Sequence, residues 1–371
     1  MFRIIVFVGI VTLVYLGLHY FLAFWVIRHF DLPVSNKTIR VVFLILALCF
    51  PVSAILVRTY PGNLTQLFSF FCYVWMGIIF IWFCSTFAVT VIEVAIKITK
   101  PSLYNKTFVG YSVFILTFLA ITLSIINGVR VPEIKRIEIP MANLPQKLDG
   151  FSIAVLSDMH LSHLVPFKRF ERVVNKVKKQ NPDMLVHLGD FAEAGFDYHK
   201  KVYDATKTIT PPHGKFAVMG NHEFYYGIKT SQGVFKNSTF TVLRQKVASL
   251  DCGLQILGID DIKTAGIGDR QIEELFSKTN PNKPVIVLTH QPLKFNLFAK
   301  HKASLVLSGH THAGQIFPFN WFAKTMYPHI YGLHKKQNTY FYITSGTFFW
   351  GPPMRLFTKA EIPIITLRKI D

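Results

Sequence analysis

The chain has 371 residues, 51% of them hydrophobic and 16% charged, with a formal net charge of +19 and a mean hydropathy of +0.34. An ordinary soluble domain is about 25% charged, so this composition excludes a disordered chain and a wholly water-soluble enzyme. The charge is uneven: residues 1–130 hold nine Lys and Arg against two Asp and Glu, which leaves 31 against 19 for the rest, a net +12. The expected organisation is a membrane anchor over 1–130 followed by a basic soluble domain over 131–371.

Four apolar runs fill the first part: Ile4–Ile27, Val41–Val57, Leu67–Ile92 and Phe108–Ile126. Each is close to or above the ~20 residues that a helix needs to cross the hydrocarbon layer. The first is too long for the apolar region of a signal peptide, carries His19 and Tyr20, and lacks a small-residue cleavage site. Four crossings put the N-terminus and the soluble domain on one side. The opposite loops carry Arg28, Lys37, Arg40, Lys97, Lys100 and Lys106, against Arg3, Arg58, Arg130, Lys135 and Arg136 on the domain side. Six against five places the domain outside the cytoplasm by the positive-inside rule. Within the membrane, Glu93 and Lys97 stand at i,i+4 near a helix end and read as a solvated pair, so the helices look like an anchor. Cys49, Cys72 and Cys84 lie in apolar stretches and Cys252 is alone in the soluble part. That rules out a disulfide framework or a CxxC zinc site there and leaves the compartment open.

From Val131 the pattern changes. Glu133–Ile139 alternates like an edge strand, and short apolar runs then end abruptly in polar residues. Phe151–Leu156 meets Ser157-Asp158-Met159-His160, Met184–Leu188 meets Gly189-Asp190, and Phe216–Met219 meets Gly220-Asn221-His222-Glu223. Val285–Leu288 meets Thr289-His290, Leu305–Leu307 meets Ser308-Gly309-His310-Thr311-His312, and Tyr340–Ile343 meets Thr344–Thr347. Such runs read as buried strands. Pro166–Gln180 fits an amphipathic helix, with Phe167, Phe170, Val173, Val174 and Val177 inward and Lys168, Arg169, Lys176, Lys178 and Lys179 outward. Alternating strands and helices imply a layered α/β architecture, in which ligands collect beyond the carboxyl ends of the strands.

Seven side chains of metal-ligand type fall at those ends: Asp158, His160, Asp190, Asn221, His290, His310 and His312. Imidazole with carboxylate oxygen suits Mn, Zn or Fe, and the absence of thiolate argues against a structural zinc. Seven ligands exceed one tetrahedral ion. A carboxylate can bridge two ions, and with Asp190 at the centre each ion would have four bonds. Two ions about 3.5–4 Å apart form the clamp used for displacement at phosphorus.

The ordered set Asp158-x-His160, Gly189-Asp190, Gly220-Asn221-His222-Glu223, His290 and Gly309-His310-x-His312 resembles the calcineurin-like metallophosphoesterase superfamily, from about Leu144 to Leu367. Ser157–Ser162, Gly258–Asp261, His290-Gln291-Pro292, Gly309–Gln315 and Trp350–Leu356 look more narrowly like its bacterial membrane-associated branch. The resemblance implies a four-layer α/β/β/α sandwich behind four transmembrane helices. One divalent metal ion would be held by Asp158, His160, Asp190 and His312, and a second by Asp190, Asn221, His290 and His310. His222 would protonate the leaving oxygen or stabilise its charge. Asp260 and Asp261 would orient a ligand histidine or serve a turn, His163 would be structural or reach substrate, and Phe348–Trp350 would pack or form a substrate wall.

The expected function is a membrane-anchored, dinuclear-metal phosphoesterase that cleaves a phosphodiester or phosphoanhydride by attack of metal-activated water. The anchor points to a phosphorylated small-molecule or lipid substrate, and the location to a multi-pass bacterial inner membrane with an extracytoplasmic domain. A hydrolase resembling that of UDP-2,3-diacylglucosamine, a metal-dependent nuclease and a binding-only receptor are the alternatives. No clustered basic and aromatic tract tracks a nucleic-acid strand. Substrate choice would lie in the loops Phe191–Thr210, Phe224–Phe240 and Ile316–Asn338.

Overall fold

The computed structural model describes residues 2–370 except 142, 143, 194, 195 and 197. Part of the Phe191–Thr210 loop, and the Arg3 and Arg58 side chains counted in the charge balance, lie outside the described residues. The chain forms two compact units, one of 1–126 with 351–356 and one of 127–350 with 357–371.

The helical unit is built from α1 (Phe2–His29), α2 (Asn36–Thr59), α3 (Asn63–Thr99) and α4 (Lys106–Val129), each grown around one of the apolar runs. All four are long and apolar enough to cross a membrane. Their inner faces join through Leu22, Trp25, Phe43, Ile79 and Val113, while outward residues such as Leu44, Ile55 and Phe118 stay apolar. That is the distribution a lipid solvent selects. Trp75 Nε1 donates to His19 Nε2 at 2.9 Å and links α3 to α1. In the 351–356 segment, the Arg355 backbone N donates to the Ser124 carbonyl at 2.8 Å.

The structure corrects the reading of Glu93. Far from being solvated, it is 3% exposed. Its Oε1 accepts from Lys97 Nζ at 2.5 Å and from Tyr104 Oη at 2.9 Å, and its Oε2 lies 3.2 Å from His29 Nε2. A carboxylate among apolar helices persists only with such partners.

The second unit runs in chain order through β1 (Glu133–Met141), β2 (Ser152–Leu156), α5 (Phe167–Lys178), β3 (Met184–His187), α6 (His199–Lys207) and β4 (Lys215–Ala217). It continues through α7 (Asn221–Tyr226), α8 (Ile228–Asn237), β5 (Thr241–Val242), β6 (Lys246–Ser249), β7 (Gln255–Ile259), α9 (Asp269–Phe276) and β8 (Val285–Thr289). The last elements are α10 (Phe295–Lys300), β9 (Leu305–Ser308), α11 (Phe319–Met326), β10 (Gly332–Lys336), β11 (Thr339–Ile343) and β12 (Glu361–Lys369). One sheet has the order β1-β12-β2-β3-β4-β5 and the other β10-β11-β9-β8-β7-β6. β2, β3, β4 and β5 are mutually parallel, as are β7, β8, β9 and β11.

Period-2 alternation builds the layers. Ile153, Val155, Val186, Ile256, Ile286, Leu288, Leu305 and Leu307 fill the space between the two sheets. Their strand neighbours Leu257, Val285, Val287 and Val306 turn the other way, onto Ile272 and Phe276 of α9 and Phe298 of α10. The result is the four-layer α/β/β/α sandwich. Helix α5 buries Phe170, Val173, Val174 and Val177 as expected, but Arg169 is also buried, contrary to its expected outward position. Its Nη2 donates to the Gly128 and Arg130 carbonyls at 2.6 and 2.9 Å, and its guanidinium lies 4.8 Å from the Phe348 ring centroid.

Removing one partner from a buried charge cluster leaves the others unpaired. Glu93→Ala is expected to lower the stability of the full-length protein in detergent by about 2 kcal/mol, with Glu93→Gln in between. The check is a thermal unfolding series; an unchanged Tm in Glu93→Ala would mean that the cluster is solvated after all.

Candidate metal centre

Every predicted ligand sits just past the carboxyl end of a central strand: Asp158 and His160 after β2, Asp190 after β3, Asn221 at the start of α7 after β4, His290 after β8, and His310 and His312 after β9. The loops after β2 and β3 remain zipped beyond the sheet. Met159 N and His160 N donate to the Asp190 carbonyl at 2.8 and 3.0 Å, and Leu161 N to the Phe191 carbonyl at 3.0 Å. Across the other sheet, Gly309 N donates to the His290 carbonyl at 2.9 Å. Asp158, His160, Asp190, His310 and His312 all have positive φ, between 43 and 70°. Non-glycine residues rarely adopt this region, and where it clusters it marks a site held by its surroundings.

The glycines in the motifs have a steric cause. A Cβ on Gly309 would come within 2.0 Å of Ser157 Oγ and 2.4 Å of Asp158 Oδ2, and one on Gly220 within 2.2 Å of Asp190 Oδ1. Side chains there would force the loops apart.

The seven side chains converge as two sets. In one, the ligand atoms of Asp158, His160 and His312 lie within 4.8 Å of one another; in the other, those of Asp190, His290 and His310 do. His160 Nε2 is 3.2 Å from His312 Nε2, and His312 Nε2 is 3.6 Å from Asp158 Oδ1. His290 Nε2 is 3.1 Å from His310 Nδ1 and 3.2 Å from Asn221 Oδ1. Asp190 Oδ2 faces both sets, 3.1 Å from His290 Nε2 and 3.7 Å from His160 Nε2. Imidazole nitrogens and carboxylate oxygens packed this closely need positive charge between them. The donor set therefore fits two divalent ions sharing Asp190.

The surrounding groups orient these ligands. His290 Nδ1 donates to the Leu188 carbonyl at 2.7 Å and His160 Nδ1 to Glu193 Oε1 at 2.6 Å, so each ring presents Nε2 inward. Asp190 Oδ1 accepts from His222 N at 2.9 Å. Glu223 braces the β3 and β4 loops, accepting from Asp190 N at 2.8 Å, Gly220 N at 2.7 Å and Phe191 N at 2.7 Å. Burial and the Asp190 charge push its carboxyl up to about 7. Burial likewise pushes Asp190 upward, but His290 and His222 overcome it and hold the carboxyl well below the usual range. His222 is opposed by burial too, yet Asp190 and Glu193 raise it to about 9. Glu193 Oε1 lies 2.7 Å from His222 Nδ1, and this carboxylate joins His160 and His222 as a third cluster.

Glu193 and Glu223 were missed as functional candidates. Glu223 stood in the quoted motif without a role. Glu193, three residues past Asp190, offered a signal only once two distant histidines were known to converge on it. Phe348 and Phe349 are buried and pack as expected, whereas Trp350 is 55% exposed. Its ring lies 6.1 Å from that of His222, and the exposed Tyr225 ring lies 5.4 Å from the same histidine. Asp261 Oδ1 accepts from Thr264 N at 2.8 Å in a turn, and Asp260 accepts from Arg244 Nε at 2.8 Å and Met219 N at 3.3 Å behind the β4 loop. His187 is a core residue, ringed by Phe191, Phe235 and Phe240.

The model of the calcineurin-like phosphoesterase family matches residues 151–314. An uncharacterized metallophosphoesterase of Campylobacter jejuni is 32% identical over 262 residues, covering 69% of each chain. A transmembrane protein with metallophosphoesterase domain from Danio rerio is 32% identical over 273 residues, covering 69% of this chain and 62% of the relative. Among solved structures, a dimetal phosphatase of Danio rerio superposes with a TM-score of 0.36 and 12% identity, covering 59% of this chain and 99% of that one. The chain belongs to the calcineurin-like metallophosphoesterases, a family of metal-dependent phosphoester hydrolases.

Proposed function

We propose that this chain is a membrane-anchored phosphoesterase with a dinuclear metal centre, which hydrolyses a phosphodiester or phosphoanhydride on a lipid-linked substrate. The observation that carries the reading is Asp190 Oδ2, set between His290 Nε2 at 3.1 Å and His160 Nε2 at 3.7 Å, with the other ligand sets closing on either side. Asp158, His160, Asp190 and His312 would hold one divalent ion, and Asp190, Asn221, His290 and His310 the other. Bound there, the ions supply Lewis-acid charge on the phosphoryl oxygens and activate water.

The chain's own residues do the rest. His222 Nδ1 faces Glu193, so the proton available for the leaving oxygen is on Nε2. Glu193 fixes the tilt of both His222 and His160. Trp350 and Tyr225, both edge-on to the His222 ring, form an aromatic wall beside the leaving group. The lipid linkage is supported by the four membrane-length helices, which keep the site near a bilayer. In a bacterial inner membrane, the six-to-five excess of basic residues in the opposite loops supports a domain outside the cytoplasm.

His222→Ala in the full-length protein is expected to cut turnover of a chromogenic diester about 10²–10⁴-fold. Asp190→Asn should abolish it; turnover that survives Asp190→Asn would overturn the shared-ligand assignment. Because Glu193 helps to keep His222 protonated, Glu193→Gln at saturating metal should move the alkaline limb of the kcat profile to lower pH, by about one unit. An unmoved limb would remove Glu193 from the proton-transfer step. A reporter fused to the C-terminus should be active outside the cytoplasm; fluorescence confined to the cytoplasm reverses the orientation.

A further inference from the structure

Helix α11 (Phe319–Met326) buries Ala323, which packs with Tyr327 and Ile330, and turns its other large side chains outward. Phe319, Trp321, Phe322 and Met326 are 47, 63, 57 and 52% exposed. An ordinary surface helix places charge on that side. Phe317 extends the patch, its ring 5.0 Å from Trp321 and 5.6 Å from Phe357, which is 73% exposed. Contiguous aromatic surface of this kind marks an interaction site.

The stretch of chain that builds it contributes charge of one sign. Between Glu274 and Glu361 the chain contains no Asp or Glu and ten Lys and Arg. Two of these, Lys324 on α11 and Lys359 two residues past Phe357, line a cavity of about 860 Å³ together with Asn320, His329 and Ala313, the neighbour of His312.

We infer that the face formed by α11, Phe317 and Phe357 docks on the headgroup layer of an anionic bilayer, with Lys324 at the lipid phosphates; Lys359 is already paired with Glu133 at 3.2 Å. Three features select a bilayer as the occupant. The chain carries four helices able to cross a membrane, so lipid is present wherever the protein is. Exposed Trp and Phe flanked by Lys are the composition that settles at the boundary between headgroups and acyl chains. Helix α11 and the segments of Phe317 and Phe357 supply Lys324 and no carboxylate of their own, the sign of charge that anionic lipid attracts. The inference goes beyond phosphoester hydrolysis and does not depend on it.

The test uses the full-length protein with its four cysteines replaced and one nitroxide introduced through Trp321→Cys, Phe322→Cys or Met326→Cys in turn. Lys200→Cys on α6, where the side chain is 89% exposed, is the aqueous reference. In nanodiscs of phosphatidylcholine with phosphatidylglycerol, power-saturation spectroscopy compares access of oxygen with access of a water-soluble nickel chelate. The labels on α11 should show an oxygen-to-chelate ratio severalfold above that at position 200, and Lys324→Glu should reduce the excess. Labels as open to the chelate as position 200 would place the face in water and overturn the inference. Labels shielded from both reagents would mean that protein covers the face, which overturns it equally. Three separate positions keep the test intact if one variant misfolds.

Discussion

The structure turns on a crowding of ligand atoms that only positive charge can hold together. His290 Nε2 has Asp190 Oδ2, His310 Nδ1 and Asn221 Oδ1 within 3.2 Å, and a neutral His290, its one proton on Nδ1 and given to the Leu188 carbonyl, has none to offer the two oxygens. The cluster is buried: Asp158, Asp190 and His290 are 0, 2 and 0% exposed. In so dry a place, unpaired carboxylates would be prohibitive. Without a metal, protons take the cation's place, which is why Asp190, against the opposing effect of burial, holds His290 at about 10. Divalent ions would replace those protons, so ion binding and proton release are one event.

The backbone is shaped around that crowding. Five residues in left-handed conformation, glycines where any side chain would strike Asp158 or Asp190, and two loops zipped beyond β2 and β3 all raise the cost of the fold locally. The sandwich offsets it: the apolar layer between the sheets is almost free of solvent, and it fixes the strand ends from which the ligands project. The helical unit follows the same rule on a smaller scale, since Glu93 is kept by Lys97, Tyr104 and His29 as the site carboxylates are kept by histidines.

Much of this was legible in the sequence because the strongest signals are local. Short apolar runs ending in Asp-x-His, Gly-Asp or Gly-His-x-His mark both a buried strand and what stands at its end, and six strands carrying or flanking the site were readable that way. β12 was not, although it lies between β1 and β2 and is almost continuously buried from Glu361 to Leu367, because no chemistry-bearing motif follows it. The supposed loops Phe224–Phe240 and Ile316–Asn338 contain the end of α7 and all of α8, α11 and β10, elements too short for periodicity to declare. Arg169 and Glu93 misled for a shared reason: charged residues near a helix end or on a basic helix face read as solvated, and part of what buries them, Gly128 and Arg130 for Arg169 and His29 for Glu93, is distant in the chain. Glu193 was invisible on the same ground, since its meaning lies in convergence of His160 with His222.

The most direct measurement is of whether two ions share one carboxylate. The full-length protein loaded with Mn²⁺ should give the electron paramagnetic resonance spectrum of a spin-coupled pair, and Asp190→Asn should replace it with the spectrum of an isolated ion. Uncoupled Mn²⁺ alone in the fully loaded wild type, or a coupled pair that persists in Asp190→Asn, would contradict the account.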